Sequence, residues 1–244
     1  MPRKIVALTL AAAHGSELAS AWARLGFAEI PSDGAIALAD GVTLDLFAAD
    51  DPAAVGVEDL QARAFLAHFA SRQSSAARLG GAALLVLSGA AEECLAARPE
   101  PLGGADCFVM LAPPREKTTP VHANGVTGLK NIIALDESPA DHAEALAKLT
   151  GQREMLATSA GLEIRLDGET RLDVATPLAF AFRFGFAAPD DGAFRIAGLV
   201  FQVADLEATE EVLEKNGVEP KIQAGRLIAG PNEGAGVAVA FEQD

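Results

Sequence analysis

Tyrosine is absent from this 244-residue sequence, tryptophan occurs once, at Trp22, and cysteine twice, at Cys94 and Cys107. Without tyrosine no phenol is available as a general acid. Two cysteines and four histidines cannot make the spacing of a zinc ribbon. Both cysteines lie in apolar contexts and read as buried thiols rather than a disulfide. Basic residues are scarce, 19 Lys and Arg against 34 Asp and Glu, giving a formal net charge of −15. Nucleic-acid binding draws most of its affinity from phosphate neutralisation by Lys and Arg. No local basic patch stands out in the sequence, so DNA, RNA and anionic membranes are not expected as partners. The longest apolar runs, such as Gly80–Leu87, fall far short of the ~20 residues that span a bilayer. The first apolar stretch breaks at His14-Gly15-Ser16-Glu17, without a cleavage site. It reads as a first strand, and a cytoplasmic protein is the expectation. There is no Gly-x-Ser-x-Gly elbow, no Walker loop and no dinucleotide fingerprint.

What is present is a globular composition, 50% hydrophobic and 22% charged, and one pattern repeated. A strand leads into an amphipathic helix, the helix ends near a glycine, and short strands with glycine turns follow. The last copy is the clearest. Phe194–Val203 reads as a strand and Asp205 as a helix N-cap. Leu206, Thr209, Val212 and Leu213 form the apolar stripe, and Asn216-Gly217 is the stop. Strands are expected at Pro220–Gln223, Arg226–Ala229 and Gly236–Phe241. A third copy has strands at Asn131–Leu135, Glu154–Thr158, Leu162–Leu166 and Thr170–Val174, with a helix opened by Ser138-Pro139. The first has Ile5–Leu10, a helix over Ser16–Leu25, and strands near Phe27–Ile30, Ala35–Leu38 and Thr43–Phe47. A reduced second copy has Gly81–Leu87, a short helix over Ala90–Ala97 and Cys107–Leu111. Val57–Arg78 adds a helix between the first two copies. The Pro-rich stretch 113–120 is the best boundary. It divides the chain into an N-terminal domain, 1–115, a linker, 116–120, and a C-terminal domain, 121–244.

Strand, helix, Leu25-Gly26-Phe27 and then glycine-turned strands resemble the vicinal oxygen chelate superfamily, which contains glyoxalase I, the extradiol dioxygenases and the bleomycin-resistance proteins. His122-Ala123-Asn124-Gly125 and the pattern from Val203-Ala204-Asp205-Leu206 to Gly236-Val237-Ala238-Val239 look most like its glyoxalase-like domain branch. The resemblance implies an α+β tandem fold, four βαβββ-like modules in two domains, with strands curled around clefts. Fold alone does not name a reaction.

Metal-using members of this superfamily carry a His in the first strand of a module and a Glu in the last, and the ion chelates neighbouring substrate oxygens. Aligned on the strand–helix junctions, the first-strand positions fall on Ala7, near Gly81, on Asn131 and on Gly198. The last-strand positions fall on Asp45, near Met110, on Asp173 and on Ala240. None is His or Glu, so no metal and no cofactor is expected. The missing tyrosine also removes the acid that many dioxygenases use.

The candidate catalytic residues are Asp173, Asp45 and His122. Strand alternation puts Asp45 with Thr43 and Phe47, and Asp173 with Arg171, on faces opposite the leucines. Each aspartate would then line a cleft as a base or hydrogen-bond acceptor, or form a salt bridge, Asp173 with Arg171 or Arg165. Candidate ligand-binding residues are Arg171, Asn131, Asn124, Phe182, Phe184 and Phe201. Phe180, Phe182, Phe184 and Phe186 alternate as a strand would, giving either core or an aromatic wall for an apolar ligand. The expected function is metal-independent binding of a small organic molecule in the C-terminal cleft, by a monomer or homodimer. The alternatives are a divergent lyase-, isomerase- or dioxygenase-type enzyme, and an interaction protein whose clefts are filled.

Overall fold

The computed structural model describes residues 2–28, 35–50, 60–75, 81–90, 100–101, 107–113, 120–167, 170–188 and 194–243. The expected Ala90–Ala97 helix, Cys94 and most of the 116–120 linker lie outside them. In the N-terminal half the elements are β1 (Ile5–Ala12), α1 (Gly15–Arg24), β2 (Ala35–Ala37), β3 (Thr43–Ala48), α2 (Leu60–Ser75), β4 (Gly81–Ser88), β5 (Glu100–Pro101) and β6 (Phe108–Ala112). The C-terminal half starts with β7 (Val126–Leu135), a 3-10 turn (Pro139–His142), α3 (Ala143–Thr150), β8 (Met155–Thr158), β9 (Gly161–Arg165) and β10 (Arg171–Ala175). It continues with α4 (Pro177–Phe184), β11 (Arg195–Val203), α5 (Leu206–Lys215), β12 (Lys221–Gln223), β13 (Arg226–Ala229) and β14 (Ala238–Glu242). Phe27 and Ala28, expected to begin a strand, lie outside any strand.

The repeat is visible in the ladders. In each module the first strand pairs in parallel with the last: β1 with β3, β4 with β6, β7 with β10, and β11 with β14. First strands then pair antiparallel, β1 with β4 and β7 with β11, so modules one and two join, as do three and four. A single pairing, Ile196 opposite Ala82, carries the sheet from β4 to β11. The result is one open sheet running from β2 to β8.

One face of the sheet, here the back, meets α1, α3 and α5. Leu8, Leu44, Leu172 and Val174 pack there with Leu18, Trp22, Leu146 and Leu213. The aspartates therefore face the front, as the alternation of Leu172 and Val174 with Arg171 and Asp173 requires. Two further helices cover that front face. In the N-terminal half, Ala62, Leu66, Phe69 and Ala70 of α2 pack on Ala7, Ala11, Phe47, Ala83 and Leu84. In the C-terminal half, Phe180 and Phe184 of α4 pack on Ile133, Ala197, Val200, Ile228 and Ala240.

Helix α4 corrects the expected phenylalanine strand. Thr176 caps it, its Oγ1 accepting from the Ala179 N–H at 3.2 Å, and Pro177 occupies the first turn. Gly185, with φ 70°, ends it in the left-handed region. Alternate residues lie on one face of a strand, but in a helix only i and i+4 do. Phe180 and Phe184 therefore stack inward, ring centroids 4.7 Å apart, while Phe182 is 83% exposed on the far side.

The two buried rings gain about 1.5–3 kcal/mol each from burial. Phe184 can reach the sheet only because residue 198 is glycine. A Cβ there would lie 2.7 Å from the Phe184 Cζ. Gly198→Ala is expected to destabilise the fold by about 1–3 kcal/mol through overpacking. Adding Phe184→Leu should recover part of that loss, measured as coupling in a denaturant-unfolding double-mutant cycle; strictly additive effects would count against this packing account.

Candidate functional site

The ladder registers fix what stands at the positions where the resemblance implies metal ligands. Asn131 lies opposite Val200, and Gly198 opposite Ile133. The matching positions in β1 and β4 are Ala7, opposite Val86, and Leu84, opposite Thr9. The second-module position is thus Leu84, not Gly81, because β4 begins at Gly81 and its register places Leu84 at mid-strand.

Asp173 is buried at 2% exposure on the front face. Its Oδ2 accepts from the Asn131 Nδ2 at 2.8 Å and from the Arg183 Nη1 at 2.9 Å. Of the expected salt-bridge partners, Arg171 instead approaches Glu163, at 3.6 Å, and Arg165 stands directly across the ladder from Arg171. The phenylalanine alternation, which fits a strand, does not single out Arg183. The Thr176-Pro177 start and Gly185 stop were the signal for the helix that carries it. The second oxygen of Asp173 and the Asn131 Oδ1 are buried with no hydrogen-bond partner among the described residues. A small cavity of about 100 Å³ lies against Asp173, Arg183, Glu163 and Leu156.

One pleat along the same face, beyond the reach of α4, lies a groove of about 810 Å³. Lys130, Arg165, Arg171, Gln202, Glu242 and Asp40 line it. Lys130 Nζ holds Glu242 at 2.7 Å, and Arg226 holds the same carboxylate. Burial pushes the Glu242 pKa up, but these two cations outweigh it and keep it below the ordinary glutamate value. Asp45, the N-terminal counterpart of Asp173, is buried at 1% exposure on the strand face that carries Phe47. That face is packed under α2.

The remaining candidates sit elsewhere. His122 is buried, and its Nδ1 accepts from the Ala28 N–H at 3.1 Å. That fixes the proton on Nε2, which donates to the Ala37 carbonyl at 3.0 Å. Asn124 Nδ2 donates to the Leu25 carbonyl at 2.8 Å, and its backbone N–H to that of Gly26. Gly26, with φ 86°, has room for no side chain, since a Cβ would lie 2.9 Å from the Asn124 Cβ. His122 and Asn124 thus clasp the end of α1 to the start of the C-terminal half. Phe201 is on the back face against Phe27 and Trp22, with centroid distances of 5.3 and 6.1 Å. Phe184 is a buried plug, and Phe182 points to solvent. These three rings and the clasp pair are therefore not in the groove. Backbone pairing and helix geometry, which the local pattern does not reveal, place them apart.

The donor set at the front face does not fit the divalent ion that the resemblance implies. Asp173 is already bound to a guanidinium, whose charge opposes a cation, and the Phe184 ring lies over Gly198. Among the described residues no group of three or more His, Cys, Asp or Glu is placed to hold a metal.

Neither a family model nor a curated protein sequence matches the chain. Solved structures do. A triple mutant of 4-hydroxymandelate synthase from Streptomyces coelicolor matches at TM-score 0.57 and 14% identity, over 99% of this chain and 92% of that one. A xylose isomerase-like TIM barrel/4-hydroxyphenylpyruvate dioxygenase fusion protein matches at TM-score 0.60 and 12% identity. That match covers all of this chain, 100%, and 49% of the fusion, so the chain spans about half the fusion's length. Methylmalonyl-CoA epimerase from Mycobacterium tuberculosis is similar to 49% of this chain, at TM-score 0.37 and 17% identity. With the ladders above, the first two matches establish the architecture as a tandem vicinal-oxygen-chelate fold, α+β, with an open sheet. At these identities the likeness is one of fold. Among the described residues, no helix is long and apolar enough to cross a membrane.

Burial holds the His122 pKa below its ordinary 6.5, opposed by the Ala37 hydrogen bond. The unfolded chain therefore binds the extra proton first. Stability from this group is complete above about pH 6.5 and is lost as pH falls from there through the lowered folded value. His122→Gln is expected to cost about 1–3 kcal/mol at neutral pH, by leaving buried backbone groups unpaired. It should also flatten the acid limb of stability against pH; a wild-type-to-variant gap that stays constant from pH 8 to 5 would sink this assignment. Arg183→Met should cost about 1–3 kcal/mol in denaturant unfolding, because Asp173 keeps its burial and loses its countercharge.

Proposed function

We propose that this protein binds a small organic molecule without a metal, in the open end of the C-terminal front face. The observation that carries the reading is Asp173. A carboxylate at 2% exposure is held on one oxygen by Asn131 and Arg183, its other oxygen has no donor among the described residues, and the residue lines a small cavity. Buried acceptors normally find a donor, and a bound hydroxyl, amine or water would supply one. A separate 810 Å³ groove, lined by Arg171 two residues before Asp173 on β10, falls within the usual ~300–1,000 Å³ of small-molecule sites. Arg183 belongs to α4, so the helix that fills the apolar end also positions the carboxylate at the polar end.

The unoccupied oxygen of Asp173 would also serve a catalytic base, and no separate observation favours that alternative over binding. The filled-cleft reading describes the N-terminal half, where α2 covers the front face with Leu66 and Phe69. It does not describe the C-terminal groove.

Thermal melting separates these readings. A metal at ~1,000 times its Kd would add about 4 kcal/mol of stability, or roughly 8–16 °C in Tm for a chain of this size. EDTA-stripped protein is expected to show no such saturable shift with Mn, Fe, Ni or Zn. A panel of small aromatic and aliphatic organics is expected to contain compounds that raise Tm by about 5–11 °C at ~100 times their Kd. Those shifts should shrink in Asp173→Asn. A saturable metal shift would overturn metal independence, and a flat organic panel would overturn the binding reading.

A further inference from the structure

The C-terminal groove has a charge that the sequence as a whole opposes. In a chain of net charge −15, three cationic side chains, Lys130, Arg165 and Arg171, line one depression. Its two acids are already committed. Asp40 accepts from the Val42 N–H at 2.9 Å on one oxygen and from the Leu129 N–H at 2.7 Å on the other. Glu242 is shared by Lys130 and Arg226. The closest carboxylate to Arg171 is Glu163 at 3.6 Å, beyond ordinary hydrogen-bond length. Arg165 has no ion-pair partner among the described residues.

Arg165 and Arg171 are also direct cross-strand neighbours in the β9–β10 ladder. Like charges in that relation are destabilising. A repulsive pair kept on the wall of a groove is explained when something negative bridges it. Two guanidinium forks facing one space match the oxygens of a carboxylate or phosphate, which a single lysine cannot do.

We infer that Arg165 and Arg171, with Lys130 at the rim, form the binding site for the anionic group of the ligand, a carboxylate or phosphate on a small organic molecule. This rests on the small-molecule reading above and specifies the chemistry of that site. The anion lies against the arginine pair, and the rest of the molecule extends along the groove past Gln202.

The test is titration of the intact chain with phenylacetate, phenyl phosphate and neutral benzyl alcohol, followed by NMR shifts of the Lys130, Thr170 and Arg171 amides. At least one anion is expected to bind about tenfold or more tightly than benzyl alcohol, with an affinity that falls as salt rises. Phenylacetate against phenyl phosphate distinguishes carboxylate from phosphate. Arg165→Gln and Arg171→Gln should each weaken the anion about tenfold, and Arg165→Lys less, because the charge stays while the fork is lost. Arg165→Gln is expected to melt no lower than the wild type, since it removes the cross-strand repulsion, so its lost binding would not reflect unfolding. Equal binding of benzyl alcohol and the anions would overturn the charge assignment and leave the small-molecule reading standing. No response to either anion at about 10 mM, tenfold above a millimolar Kd, would overturn the anion site. The small-molecule reading would then be decided by the melting panel alone.

Discussion

An open β-sheet has two faces, and an apolar face left in water costs the fold the burial that holds it together. In this protein the repeat's own helices, α1, α3 and α5, cover only the back. The front is covered by two inserted helices, α2 and α4, and everything about the candidate site depends on how far those helices reach. Phe184 settles against Gly198 and Phe69 against Gly81, where added Cβ atoms would lie 2.7 and 3.2 Å from the rings. The two contacts are not at equivalent ladder positions, so the two halves meet the same packing demand in different ways.

The consequence differs between halves. Sixteen-residue α2 covers the N-terminal front face, and Asp45 is buried on it. Eight-residue α4 is too short to do the same. It plugs the apolar end around Ile133, Ala197 and Ala240, delivers Arg183 to Asp173, and stops at Gly185. Beyond it the front face continues as the polar groove of Arg171, Arg165 and Gln202. The C-terminal front face is thus divided between an aromatic plug and a guanidinium–carboxylate pair.

The two halves are bound on the back face as well as through the single β4–β11 pairing. Trp22 and Phe27 from the first module meet Phe201 from the fourth, and His122 and Asn124 tie Leu25, Gly26, Ala28 and Ala37 to the second half by three side-chain hydrogen bonds and one backbone hydrogen bond. A buried, neutral imidazole suits that task, since it offers one donor and one acceptor to two backbone groups.

Local pattern was enough for much of this. The strands and helices of the third and fourth modules follow from apolar periodicity, the Asp205 cap and glycine stops, all decided within about ten residues. The same alternation that places Leu172 and Val174 inside places Asp173 on the other face. Period two fails for Phe180, Phe182, Phe184 and Phe186, because alternating residues fit either a strand or, two at a time, a helix; the Thr176-Pro177 cap decides it. What the chain could not declare locally is which distant groups meet. The Arg165–Arg171 pairing depends on hairpin register, the Asp173–Arg183 pair on the direction α4 takes across the sheet, and the His122 clasp on partners more than eighty residues away. Burial can be read from the residue itself, whereas partnership is a property of the assembled backbone, and the site is made of partnerships.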